Sequence, residues 1–116
     1  EECIVHLKYK EKILGAGDRD TITTGHATGH PVRTIKNRFS RAYSQRELAG
    51  ATIQELEQMG SGKYAAAALR GEVEDGSLLA GQISGLVREI KPVSKIINDM
   101  ILEAEGELER LKNLIH

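Results

Sequence analysis

Asp75-Gly76-Ser77-Leu78-Leu79-Ala80-Gly81-Gln82-Ile83-Ser84-Gly85-Leu86-Val87 combines helix-like apolar spacing with three glycines. Read as a helix, it starts at Asp75-Gly76-Ser77 and carries Leu78, Leu79, Ile83, Leu86, Val87 and Ile90 as its apolar positions. Ser77, Gly81 and Gly85 then stand four apart on a second face. Each interior glycine costs a helix about 1 kcal/mol relative to alanine. Two of them on one stripe point to close approach by another backbone or a ligand; simple tight helix packing explains them as well.

A second unusual stretch runs Thr24-Gly25-His26-Ala27-Thr28-Gly29-His30-Pro31-Val32-Arg33-Thr34-Ile35-Lys36-Asn37. Thr21-Ile22-Thr23-Thr24 before it is β-branched throughout and reads as a short strand. Gly25 to Pro31 reads as a loop, and Val32 to Ile35 as a second strand or the opening of a helix. Val5 to Leu14 reads as a helix stopped by Gly15 and Gly17 in the usual C-terminal way. Asn37 to Ala49 reads as a polar helix, broken at Gly50-Ala51. Thr52-Ile53-Gln54-Glu55 is a capping-box pattern opening a short helix before Gly60-Ser61-Gly62. Ala65 to Arg70 resumes helix and Gly71 ends it. After Pro92, Val93, Ile96, Ile97, Met100, Ile101, Ala104, Leu108, Leu111 and Ile115 recur with helical period. Glu103, Glu107, Glu109, Arg110 and Lys112 stand opposite, so this reads as an amphipathic docking helix.

The composition suits a segment that borrows a core. One Phe, three Tyr and no Trp leave little aromatic surface to bury. Much of the apolar content is alanine, and twelve glycines raise the cost of ordering the backbone. At 116 residues the chain forms one domain at most. Its net charge of −1 argues against general nucleic-acid binding. Arg33, Lys36, Arg38, Arg41 and Arg46 form a local basic run, either a solvated face or a site for phosphate groups. The single cysteine, Cys3, forms no intramolecular disulfide and fits a reducing, cytoplasmic setting. No apolar run reaches the roughly twenty residues of a membrane span. The start, Glu1-Glu2-Cys3, lacks an initiator methionine and a signal pattern, as expected of a processed or truncated product.

Several motifs fail on inspection. Gly60-Ser61-Gly62-Lys63 has Glu57 where a Walker loop needs glycine, and Tyr64 where it needs Ser or Thr. Gly15-Ala16-Gly17 has Asp20 at the third position of a dinucleotide fingerprint and follows a helix, not a strand. His26 and His30 stand four apart, but Gly29 and Pro31 argue against the shared helix that metal ligation would use. Asp18 and Asp20 lack the rest of a calcium loop.

Taken in order, several segments resemble one family: Glu1-Glu2-Cys3, His6 with Tyr9-Lys10, Asp18-Arg19-Asp20-Thr21, Thr28 to Arg33, Lys36-Asn37, Gly71 to Ser77 and Ala80 to Val87. They are similar to the C-terminal third of flavin-dependent enoyl-acyl-carrier-protein reductases of the enoyl reductase II type, relatives of the nitronate monooxygenases and 2-nitropropane dioxygenases. The resemblance implies a parent (β/α)8 barrel that binds FMN and passes hydride from NADH or NADPH through the flavin to an enoyl thioester on acyl carrier protein, in fatty acid biosynthesis. On this reading the chain is a mainly α fragment with a short β element, an α+β piece without the barrel strands. Residues 1–74 correspond to a covering lid, and 75–116 to C-terminal helices that pack on the barrel. Ser77, Ala80, Gly81 and Gln82 are expected to line the flavin or acyl pocket, with His30 and Arg33 on the covering loop.

The phosphate-binding glycine loops and the Gly-Gly-His segment of that family are absent, and Leu79 stands where methionine is frequent. Inactivity of the isolated chain, no retained cofactor, and no catalytic or metal-binding residue are expected. The implied partners are the missing barrel portion, the acyl carrier protein thioester and a second copy in a homodimeric parent, with neither nucleic acid nor membrane. Two alternatives remain: nitronate oxidation by the parent, and a non-catalytic helical interaction module.

Overall fold

The computed structural model describes residues 1–115. They pack as two compact units, residues 4–88 and residues 1–3 with 89–115. The first unit holds helix α1 (Leu7–Leu14), strands β1 (Thr21–Thr24) and β2 (Val32–Ile35), helices α2 (Arg38–Leu48), α3 (Ile53–Gly60) and α4 (Lys63–Arg70), and a 3₁₀ turn at Gln82–Leu86. The fold is therefore mainly helical with a two-stranded sheet, as the sequence predicts.

Strands β1 and β2 form an antiparallel hairpin with Thr21 opposite Ile35 and Thr24 opposite Val32. This settles Val32 to Ile35 as strand. Helix α1 starts at Leu7, later than Val5, because His6 is its cap: the His6 Nδ1 accepts from the Lys8 amide at 3.1 Å. Its end also departs from expectation. Gly15 sits at φ −82°, so no left-handed cap forms, and the Asp20 carboxylate instead accepts the Gly17 amide at 2.6 Å. The capping box at Thr52 and Glu55 forms as read. Gly71 ends α4 at φ +70°, where an added Cβ would lie 2.5 Å from the His6 ring.

The decisive stretch is not a helix. Residues 78–80 lie extended along the free edge of β2, with Thr34 and Leu79 forming an antiparallel bridge. The Ile35 amide donates to the Leu78 carbonyl at 2.9 Å, and the Ala80 amide to the Arg33 carbonyl at 3.2 Å. The Thr34 hydroxyl gives the Leu78 carbonyl a second bond at 2.8 Å, and the Tyr9 hydroxyl donates to the Leu79 carbonyl at 2.7 Å. Leu78 is fully buried and Leu79 is exposed, the period of a strand. A sheet edge with unpaired backbone groups outcompetes a glycine-rich helix for this segment. Consequently Ser77, Gly81 and Gly85 share no helical face. Gly85 still meets a neighbouring backbone: an added Cβ would lie 3.0 Å from the Gly17 carbonyl carbon. Gly81 faces open space.

The core is small and rich in alanine. It joins Tyr9, Ala16, Ile35, Ala67, Ala68 and Leu78, with Val5, Ile13, Val73 and Ala80 packed against it. Short side chains on α4 let the 72–76 turn pass so close that a Cβ on Gly76 would stand 2.7 Å from Ala67. One buried side chain clamps that turn. Asn37, 1% exposed, donates from Nδ2 to the carbonyls of Val73 and Gly76, each at 2.8 Å. Its Oδ1 accepts the Ser40 amide at 2.8 Å, capping α2.

The second unit is dominated by helix α5 (Val93–Ile115). Its first turn is capped from the N-terminus, where the Glu2 carboxylate accepts the Val93 amide at 3.0 Å. Lys91 and Lys95 both reach Asp99. No described residue of α5 is buried, and Ile97, Met100, Ile101, Leu108 and Leu111 lie exposed, which matches the amphipathic reading. Among the described residues no helix is long and apolar enough to cross a membrane.

Candidate functional site

The hairpin loop between β1 and β2 is held in shape by α2. Gly25 turns it at φ +85°, and an added Cβ there would stand 2.6 Å from the His30 carbonyl. The Glu47 carboxylate accepts the amides of Gly25 at 3.3 Å and Ala27 at 2.8 Å. The Thr28 hydroxyl donates to the Gly25 carbonyl at 3.0 Å. Without these bonds a loop of this glycine content would have little to fix it.

Beneath the loop lies a cavity of about 150 Å³, lined by Thr24, His30, Val32, Phe39, Tyr43 and Ser77 among others. Phe39 and Tyr43 supply aromatic walls, their centroids 5.9 Å apart and their planes tilted by 55°. Lys63 Nζ lies 5.4 Å from the Phe39 ring centre. Burial pushes the Tyr43 phenol above its ordinary pKa, and the charges of Glu47 and Glu57 add to this against a hydrogen bond with Thr28. Tyr43 is therefore neutral across the physiological range. The Ser77 amide donates to the Lys63 carbonyl at 2.9 Å, which fixes Ser77 at the cavity wall.

Of the six residues singled out from sequence, the structure brings His30 and Ser77 to this cavity. Ala80 is half-buried against the core. Gly81 and Gln82 are exposed at the start of the 3₁₀ turn. Arg33 is turned to the sheet and donates from Nη1 to the Thr21 hydroxyl at 3.1 Å. Thr24, Phe39 and Tyr43 were not legible as site residues, because they converge only when the hairpin closes onto α2. Only the spacing of Phe39 and Tyr43, four apart on one helical face, hints at a shared wall.

The basic run does not gather as a phosphate site. Lys36 Nζ donates to the Arg19 carbonyl at 2.5 Å, Arg38 forms a two-pronged ion pair with Asp75, and Arg46 pairs with Glu55 at 3.5 Å. With Arg33 on Thr21, four of these cations serve separate local contacts. The Arg38 guanidinium holds the Asp75 carboxyl below the usual aspartate range, and the Lys12 ammonium does the same for Glu74. These pairs tie the 74–75 turn to α1 and α2.

The hairpin, the four short helices and the strand-like return at 78–80 define a small α+β unit with a loop-covered cavity. The profile of the family described as nitronate monooxygenase matches residues 1–103, and the chain belongs to that family of flavin-dependent oxidoreductases. Among solved structures, FabK from Thermotoga maritima is 39% identical and superposes with a TM-score of 0.87, over 94% of this chain and 34% of that one. A methionine-to-alanine variant of FabK from the same organism matches at 39% identity and a TM-score of 0.74, over 94% of this chain and 32% of that one. The chain thus spans about a third of the length of these relatives. No curated protein matches it.

Proposed function

We propose that the chain is the C-terminal part of an FMN-dependent enoyl-acyl-carrier-protein reductase, acting in fatty acid biosynthesis only when completed by the barrel portion. The observation that carries this reading is the 39% identity to FabK over 94% of the chain, with the same backbone course. When bound, the flavin supplies the hydride relay between NAD(P)H and the enoyl thioester. The residues present fit contact with its flat ring system: Gly81 leaves open space where a Cβ would stand, and Gln82 is exposed beside it with an amide that makes no protein hydrogen bond among the described residues. Gln82 would orient the ring by one hydrogen bond, and Ser77 and His30 would meet substrate at the loop-covered cavity. Residues 1–74 serve as the covering segment and 75–116 dock on the barrel of a homodimeric, cytoplasmic parent. The exposed apolar positions of α5 support such docking.

The family match supports a second reading, in which the intact protein oxidises alkyl nitronates. The test compares crotonyl thioester and alkyl nitronate as substrates of the intact parent. Turnover of the nitronate with no reduction of the thioester overturns the reductase reading. Gln82→Ala in that parent should lower turnover or flavin retention; unchanged kinetics sink the Gln82 role. For the isolated chain, mixing with FMN and removing free dye should leave a colourless protein. A retained visible flavin band would show that this segment holds cofactor by itself.

A further inference from the structure

Helix α5 carries an apolar stripe that matches itself end to end. Ala104 stands at the midpoint of Val93–Ile115. Four residues to either side stand Met100 and Leu108, seven away Ile97 and Leu111, and eleven away Val93 and Ile115. The stripe therefore reads the same in both directions. Its repeat of eleven residues is close to three turns of α-helix, so it stays on one face of a nearly straight helix. The six large side chains are 46% to 82% exposed, and Ala104 is exposed between them.

In a twofold contact residue i meets j and j meets i, so both halves of the surface must be apolar in matching places. A stripe that docks on an unrelated surface needs no such match. Two antiparallel copies of α5 with the axis at Ala104 set Met100 against Leu108, Ile97 against Leu111 and Val93 against Ile115. Ala104 meets itself at the crossing, where a small side chain allows axes about 8 Å apart. We propose that α5 is a homodimerisation helix, pairing antiparallel with α5 of a second copy across a twofold axis at Ala104. At roughly 100 Å² for each large side chain, the two stripes bury about 1,200 Å², the lower end for a specific pair. Charge sets the strength of the contact. Arg110 pairs with Glu107 at 2.7 Å and Lys112 with Glu109 at 2.5 Å inside the helix. Glu103 of one copy falls on the same flank as Glu107 of the other, about 3 Å apart along the axis. Their repulsion weakens the pair and is screened by salt. A second copy on this stripe goes beyond the reductase reading and does not rest on it; in the intact parent the barrel is the competing occupant.

The test is sedimentation equilibrium of the full 116-residue chain. A dimer with a dissociation constant on the order of 10 μM is expected for an interface of this size. It should tighten as ionic strength rises from about 0.01 M to about 1 M. Ala104→Arg sets two cations against each other at the axis and should weaken pairing about tenfold or more. Leu102→Gln, on the opposite face of α5, should leave it unchanged. The register is read separately, in a Cys3→Ser background, by oxidising a mixture of Ile97→Cys and Leu111→Cys chains. The mixed disulfide should outnumber both self-disulfides. This second readout still judges the pairing should the arginine variant lose its helix. A chain that stays monomeric at about millimolar concentration would leave the stripe to another occupant and overturn the proposal. So would a preference for self-disulfides, the mark of a parallel pair, equal weakening by Leu102→Gln and Ala104→Arg, or looser pairing at high salt. Association is read without flavin or turnover, so its failure leaves the thioester assay of the intact parent to judge the reductase reading.

Discussion

Asn37→Ala should be the most damaging single polar truncation in the unit formed by residues 4–88. The side chain is 1% exposed and makes three hydrogen bonds at 2.8 Å: to the Val73 carbonyl, to the Gly76 carbonyl and from the Ser40 amide. Each such bond contributes about 1 kcal/mol net, so their loss costs about 3 kcal/mol before any penalty for stranded carbonyls. That is a large share of a stability that is of order 5–15 kcal/mol in a whole domain. With a urea m-value of about 1–1.5 kcal/mol/M, the midpoint should fall by about 2–3 M. Ser40→Ala is the internal standard. It removes the bond from the Asn37 amide to Ser40 Oγ at 2.9 Å and the bond from the Ser40 hydroxyl to the Asn37 carbonyl at 3.2 Å, and should cost about 1–2 kcal/mol. The assay is urea unfolding of the full chain followed by far-UV circular dichroism. Equal costs for the two variants would refute the reasoning, because Asn37 would then act as a helix cap and not as the clamp on the 73–76 turn.

Gly76→Ala would place a Cβ 2.7 Å from Ala67 Cβ and 2.8 Å from the Glu72 carbonyl; a loss of about 1–3 kcal/mol in thermal unfolding is expected, and an unchanged midpoint contradicts the packing account. Glu47→Ala should speed hydrogen exchange at Gly25 and Ala27 while the amides inside α2 keep their protection; unaltered exchange in the loop rules out the tether. Lys91 and then Lys95 hold the Asp99 carboxyl below its ordinary 3.8. A carboxyl lowered on folding adds stability above its unfolded pKa and loses it as pH falls through the folded value. Helicity of α5 should therefore drop as pH falls below the ordinary aspartate range, and Asp99→Asn should lack that step; identical acid profiles count against the pair.

The sequence made the helices legible where caps and periodicity act within a few residues. Thr52 with Glu55 opens α3 by a local exchange of two bonds, and the apolar recurrence after Pro92 is α5 itself. It misled at 75–90, where the apolar positions suit a helix but Leu78 and Ala80 close the edge of β2 instead. That choice is made by the unpaired carbonyl of Arg33 and the hydroxyl of Tyr9, both remote in sequence. Local propensity does not contain them. The αL cap expected near Gly15 failed for a local reason: Asp20, three residues past Gly17, offers the Gly17 amide a carboxylate.

The candidate site was legible only where residue type and resemblance coincided, at His30 and Ser77. Their meeting depends on the loop bending back over Phe39 and Tyr43, and Glu47 fixes that bend from another element. The alanine-rich core bears on function as well. Ala66, Ala67 and Ala68 contribute little buried apolar area, so the close turn at 72–76 rests on Gly76 and Asn37 more than on side-chain bulk. A segment built this way holds backbone geometry accurately while leaving large side chains such as Leu79, Ile83 and Leu86 exposed. Those exposed positions follow directly after the cavity residue Ser77. Under the proposed reductase reading, Leu79, Ile83 and Leu86 are the exposed apolar positions that the barrel portion would cover.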